Sequence, residues 1–149
     1  MTTADRTTSL DVTRLADLDL VEAWSKSEPG DRVRFAFPIA APATGSVSMA
    51  YAEIEPGGAI PWHVDSAAEE IVLVLEGRVE VSLESYQAEE TTSIEAGCAV
   101  CFQAGRAHRV HNPSAGRSRT VHVFGAAGVA VTFGDPLMPF DQRTIGEAS

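Results

Sequence analysis

Two features of the sequence predict an all-β fold built as an antiparallel sandwich or jelly roll. Apolar residues recur at every second position in several short runs, and turn signals separate those runs at regular intervals. Val33, Phe35 and Phe37 alternate with Arg34 and Ala36, and Val79, Val81 and Leu83 alternate with Arg78, Glu80, Ser82 and Glu84. A strand sends successive side chains to opposite faces, so this pattern describes strands with one face buried. Similar runs occupy 47–54, 71–75, 92–94, 99–102, 108–111, 120–124 and 129–133. Glycine, proline and asparagine mark turns at 55–58, 76–77, 96–97, 104–105, 112–116 and 125–128. Many short strands with such punctuation close into a sandwich or barrel.

Before the strands, residues 1–12 read as a flexible tail, and 13–149 as one domain without repeat or linker. Asp19 and Glu22 have the spacing of a capping box, which predicts a short N-terminal helix through Trp24 that ends at Pro29, Gly30 and Asp31. The first nine residues are polar and lack the apolar segment of a secretory signal, so a cytoplasmic location is expected. No apolar stretch is long enough to span a membrane. The net charge of −10 arises from 21 acidic against 11 basic residues, with no basic cluster to follow a phosphate backbone, so nucleic acid is not an expected partner. Cys98 and Cys101 form a lone C-x-x-C within a strand-like run. Residues three apart on a strand project to opposite faces, which argues against one metal chelated by both and leaves two buried, inert thiols as the expectation.

The residues that suggest chemistry are histidines and carboxylates. His63 and Asp65 are two apart, on one face of a strand. Glu70 follows a bend and opens an apolar strand, with Glu69 as the alternative in register, and His108 follows the Gly105 turn and can return to the same cavity. Two imidazoles and two carboxylates suit one divalent ion: iron(II) first, or zinc, manganese, nickel or copper. His111 lies three residues from His108 and so on the other face. If 112–118 closes a hairpin with Asn112 opposite Ser118, His122 faces His108 as a catalytic or supporting residue; a one-residue slip would turn Val121 and Val123 inward instead. Trp62, Met49, Tyr51 and Phe102 are candidates for lining the cavity.

At these residues the sequence resembles the cupin superfamily, small β-barrel proteins with two short motifs. Gly57-x5-His63-x-Asp65-x4-Glu70-x6-Gly77 matches the first motif, over 57–77, with Asp65 where the family usually has a second histidine. Gly97-x5-Gln103-x-Gly105-x2-His108-x3-Asn112 matches the second, over 97–112, with Gln103 in place of a proline. The resemblance implies a double-stranded β-helix, or jelly-roll barrel, in which His63, Glu70 and His108 fall on metal-ligand positions and Asp65 stands for the third histidine. His63, Asp65 and His108 would then make a two-histidine, one-carboxylate face.

Family likeness further implies an enzyme acting on a small organic molecule. An iron(II) dioxygenase is the first expectation; a Lewis-acid isomerase, cyclase or decarboxylase, or a non-catalytic binding protein, is the alternative. Arg119 follows His108 at the spacing of the arginine that grips 2-oxoglutarate in some oxygenases, which makes it a candidate catalytic residue. Because strand 71–75 is apolar on both faces, and the family tends to pair, a homodimer is expected.

Overall fold

The alternating runs form two antiparallel sheets in the computed structural model, which describes residues 12–22, 32–40, 44–65, 68–84, 89–135 and 138–145. The strands are β1 (Val21–Glu22), β2 (Val33–Ile39), β3 (Ser48–Ile54), β4 (Ala59–Asp65), β5 (Glu70–Glu76), β6 (Arg78–Leu83), β7 (Glu90–Glu95), β8 (Ala99–Phe102), β9 (His108–His111), β10 (Ser118–Phe124), β11 (Val129–Asp135) and β12 (Met138–Ile145). One six-stranded sheet runs β1-β2-β3-β10-β5-β8, and the other β12-β11-β4-β9-β6-β7. The two pack face to face as a jelly roll. Sequence neighbours such as β4 and β5 lie in different sheets, so the chain crosses between them repeatedly.

Alternation decides what lies inside. In β10 Ser118, Thr120, His122 and Phe124 are buried while Arg119, Val121 and Val123 are part-exposed, and β4 buries Ala59, Pro61, His63 and Asp65. The main core joins Val33, Ala52, Ile54, Val72, Val74, Val79, Val81, Phe102 and Val110 from both sheets. Burial of this apolar surface, at about 25 cal/mol per Å², is the dominant stabilising contribution. A second, smaller cluster of Ala50, Ala68, Phe124, Val129 and Val131 lies apart from it.

Two local devices shape the region between these clusters. A β-bulge lies between Ile60 and His63: Ile60 pairs with Val110 and His63 with His108, so β4 spends one more residue than β9 over this stretch. The extra residue turns His63 to the side of His108, as bulges beside functional sites do. Gly77, at the β5–β6 turn, has φ +79°, and a Cβ there would meet Ser118 Oγ at 2.7 Å and the Arg117 carbonyl at 2.9 Å. Gly77→Ala is therefore expected to destabilise the fold by about 2–4 kcal/mol, combining left-handed strain with overpacking. Denaturant titration checks this, and an unchanged midpoint would contradict it.

The N-terminal segment departs from expectation. Its only helical turn among the described residues is a 3-10 turn at Leu15–Asp17. Asp19 and Glu22 do not form a capping box, because Val21 and Glu22 pair with Phe35 and Arg34 as a short edge strand. Trp24, Ala23 and the expected stop at 29–31 lie outside the described residues, as does nearly all of the 1–12 tail. The cysteines also differ: Cys98 and Cys101 are free and exposed. β8 is an edge strand, and Cys101 sits on its outer side opposite Ile71.

Candidate metal centre

The crossing from β4 to β5 carries Asp65 in one sheet and Glu70 in the other to the same interior point. His63 and Asp65 lie on the inner face of β4, His108 faces His63 across the β4–β9 pair, and Glu70 begins β5. One candidate ligand atom from each of His63, Asp65, Glu70 and His108 falls within 4.8 Å of all the others, and all four residues are buried. The individual separations are 3.9 Å for His63 Nε2 to Asp65 and to Glu70, 3.8 Å for His108 Nε2 to Asp65, and 3.0 Å for His108 Nε2 to Glu70 Oε1. Glu69 is exposed, and β5's alternation turns it away from the group that Glu70 joins.

Backbone carbonyls orient both imidazoles. His63 Nδ1 lies 2.8 Å from the Pro61 carbonyl oxygen and His108 Nδ1 lies 3.0 Å from that of Arg106, so each Nδ1–H donates and each Nε2 presents a lone pair to the cluster. The Phe102 ring stacks on His108 at 3.9 Å and 8°, fixing its plane.

The donor set fits a divalent cation on two observations. Both carboxylate oxygens of Asp65 are buried without a hydrogen-bond partner, an arrangement that costs free energy unless something else satisfies them. His108 Nε2 and Glu70 Oε1, both lone-pair atoms in the tautomer described, face each other at 3.0 Å, which requires a proton or a cation between them. Electrostatics tell the same story for the metal-free protein. Burial, and then the Glu70 charge, raise Asp65 to about 8. Burial alone would raise Glu70 too, but its close contacts with the imidazoles of His108 and His122 hold it well below the usual carboxylate range. Burial disfavours a charged His63, yet Glu70 and Asp65 together raise it; for His108, burial and the His63 charge prevail and lower it.

His122 and Arg119 separate. His122 is inward and buried, with Nδ1 2.7 Å from Glu70 Oε2 and Nε2 2.8 Å from Thr120 Oγ1. It is not the cross-strand partner of His108, because β10 pairs with β3 and β5 while β9 lies in the other sheet. The two histidines meet only through Glu70. Arg119 corrects its expected role: three residues from His122 on one strand, it projects to the outer face. There its Nε–H donates to Tyr51 Oη at 2.6 Å, and its guanidinium lies 5.5 Å from the Tyr51 ring centroid. It cannot grip a cosubstrate inside the barrel. Tyr51 and Met49 are likewise on the outer side of β3, and Trp62 on the outer side of β4, so of the four candidate lining residues only Phe102 faces the cluster. Sequence reasoning missed Thr120, although its place two residues before His122 puts both on one face.

Asn112, which ends the second motif, has a structural task. Its Nδ2 donates to the carbonyls of Ile54 and Gly116, each at 2.8 Å, and its Oδ1 accepts from the Ser114 amide and hydroxyl, tying the β9–β10 crossing to β3.

Residues 50–124, which hold the whole cluster, match the family model for the cupin domain. No curated protein matches the chain. Among solved structures, an oxalate oxidase superposes with a TM-score of 0.71 at 22% identity, over 89% of this chain and 68% of its own. The oxalate decarboxylase of Bacillus subtilis gives 0.65 at 20%, over 80% of this chain and 30% of that one. The Cnp3 cupin domain of Schizosaccharomyces pombe gives 0.62 at 14%, over 76% and 72%. Identities this low establish a shared fold and nothing more. With the domain model matched over half of the chain and the two-sheet jelly roll in place, the chain belongs to the cupin family.

Proposed function

We propose that the protein is a metal-dependent cupin enzyme that performs oxygen chemistry on a small organic molecule, a dioxygenase holding one iron(II) ion through His63, Asp65, Glu70 and His108. Manganese(II), the ion named for the structurally similar B. subtilis decarboxylase, is the next candidate. The observation that carries the reading is the pair of buried carboxylates, Asp65 and Glu70, set against two imidazoles whose Nε2 atoms converge on them. Two carboxylates offset a dication's charge and favour its higher-valent form, which suits a redox metal. Such an ion, when bound, supplies Lewis-acid and redox chemistry.

The chain's own residues do the remaining work. Pro61 and Arg106 fix the imidazole tautomers through their carbonyls. Phe102 and the main core close one side of the cluster, while Phe124, paired with Glu70, and Val131, paired with Asp65, bring the second apolar cluster against the other. That apolar wall excludes water and suits the hydrocarbon part of a small substrate. With Arg119 on the outer face, nothing supports use of 2-oxoglutarate. The test is oxygen uptake by iron(II)-reconstituted protein against diketones, phenols and amino-thiols. Uptake matched to substrate loss and indifferent to 2-oxoglutarate is expected; conversion without oxygen uptake would replace this reading with a Lewis-acid isomerase, cyclase or decarboxylase.

The outer face of the first sheet supports a homodimer. Its register sets Ile39, Met49, Val123, Ile71 and Cys101 in one row and Ala36, Tyr51, Val121, Leu73 and Ala99 in the next. Ile71 is 45% and Ile39 43% exposed, while Tyr51 between them is buried, so the apolar exposure of this face lies at its Ile39 and Ile71 sides. The adjoining row, Arg34, Glu53, Arg119 and Glu76, alternates in sign and is complementary to itself when a second copy is related by a two-fold axis. Ile71→Glu is expected to shift the species in sedimentation from dimer to monomer, and a wild-type monomer at micromolar concentration would contradict the assembly.

A further inference from the structure

Behind Glu70 lies a buried chain of hydrogen bonds that ligand binding by itself does not require. Glu70 Oε2 lies 2.7 Å from His122 Nδ1, and His122 Nε2 lies 2.8 Å from Thr120 Oγ1. Glu70 and His122 are 3% exposed and Thr120 is 0% exposed. The direction of each bond follows from the chemistry. The carboxylate accepts, so His122 Nδ1 carries the hydrogen; in the neutral ring Nε2 offers a lone pair to which the Thr120 hydroxyl donates, and in the charged ring Nε2 donates to that hydroxyl. The imidazole is thus satisfied at both nitrogens with its ring direction set.

Thr120 pairs across the strands with Ala52 on one side and Val74 on the other, both core residues. Valine has the same shape, and a hydroxyl between them is costly unless its hydrogen bond matters. The other carboxylate oxygen, Oε1, is the one nearest His108 and His63, at 3.0 and 3.9 Å. Glu70 therefore has one oxygen committed to β10 and one turned to the cluster.

We infer that Thr120 and His122 are positioning residues: they hold Glu70 by Oε2 so that it presents only Oε1 to the ion, which keeps it from chelating with both oxygens and leaves coordination positions for substrate and dioxygen. This rests on the metal-centre reading above. Partners that orient ligands in this way typically change metal affinity or activity by about 10- to 100-fold when removed.

The test uses the full-length protein loaded with manganese(II), reading Kd by chelator competition and the zero-field splitting by electron paramagnetic resonance, with the melting temperature as a check on folding. His122→Leu, which removes the donor, is expected to weaken binding about 10- to 100-fold and alter the splitting as Glu70 is released. Thr120→Val, isosteric and expected to fold even where His122→Leu does not, should weaken binding roughly 3- to 10-fold, the worth of one hydrogen bond. Thr120→Ser keeps the hydroxyl, and His122→Asn places an amide N–H near the position of Nδ1; both should move back towards wild type. Folded Thr120→Val protein with wild-type Kd and an unchanged spectrum would overturn the inference while leaving the metal centre intact. Wild-type protein that takes up no manganese(II) would overturn the metal-centre reading and this inference with it.

Discussion

Replacing His108 with alanine is expected to remove tight metal binding while the barrel remains folded. Structural zinc sites bind with about 10–16 kcal/mol, so each of four donors carries about 2.5–4 kcal/mol, and losing one weakens binding roughly 60- to 1,000-fold. His108 carries more than its share, because its Nε2 is 3.0 Å from Glu70 Oε1 and its ring rests on Phe102. The truncation leaves a gap beside Phe102, but Val72, Val74, Val79 and Val81 still bridge the sheets, so the cost in stability falls in the range of about 2–4 kcal/mol. His63→Ala should act in the same way. Metal content after gel filtration, read beside the melting temperature, checks both. A folded variant that retained stoichiometric metal would show that the residue is no ligand.

Asp65 gives the second large effect, and its sign depends on pH. With its folded-state value raised to about 8, the metal-free protein holds a proton on Asp65 that the unfolded chain releases near the usual value of 3.8. The stability this proton confers is complete below the unfolded value and is lost as pH rises through the folded one. The raised His63 and lowered His108 act in opposite directions around 6.5, and the stabilisation from the lowered Glu70 is lost only below 4.5, so Asp65 sets the slope between. Chelator-treated protein should therefore lose melting temperature from about pH 5 to about pH 8, whereas Asp65→Asn should flatten that slope and be the more stable metal-free protein at the alkaline end. Metal must displace the same proton, together with any held by His63 or between His108 and Glu70, so affinity should tighten by at least about tenfold per pH unit up to about pH 8 and level off above it. Asp65→Ala should cost roughly 60- to 1,000-fold in affinity, as a lost ligand does, and Asp65→His should restore binding with altered reactivity. A pH-independent affinity, unchanged in Asp65→Asn, would mean that Asp65 points away from the ion and that His63, Glu70 and His108 work alone.

The jelly roll and the cluster were legible because both rest on period two. Apolar alternation located nine of the strands in outline, and the spacing of His63 from Asp65 put them on one face. The same rule allows only one of the adjacent Glu69 and Glu70 to face inward, and the six-residue gap to Gly77 in the family motif points to Glu70, which is the buried one. Parity also sets Arg119, three residues from His122, on the opposite face, but which of the two points inward follows only from the register of β10. What sequence could not supply was strand order. The Asn112–Ser118 segment reads as a hairpin, yet β9 and β10 belong to different sheets, and only that crossing reveals that His122 meets Glu70 rather than His108. Edge position was equally hidden: the run holding Cys101 looks buried until β8 is found with a neighbour on one side only. At the N terminus, pairing with β2 overrode a local capping signal at Asp19 and Glu22, as tertiary contacts commonly override short-range propensity.

The most direct test of the central claim is the metal stoichiometry of the wild-type protein, measured by elemental analysis after anaerobic reconstitution with iron(II) and removal of loose ions. The cluster of His63, Asp65, Glu70 and His108 predicts one tightly held divalent ion per chain in the wild type, and none when His63 or His108 is alanine. A folded wild-type barrel that retains no iron, manganese or zinc under these conditions would contradict it.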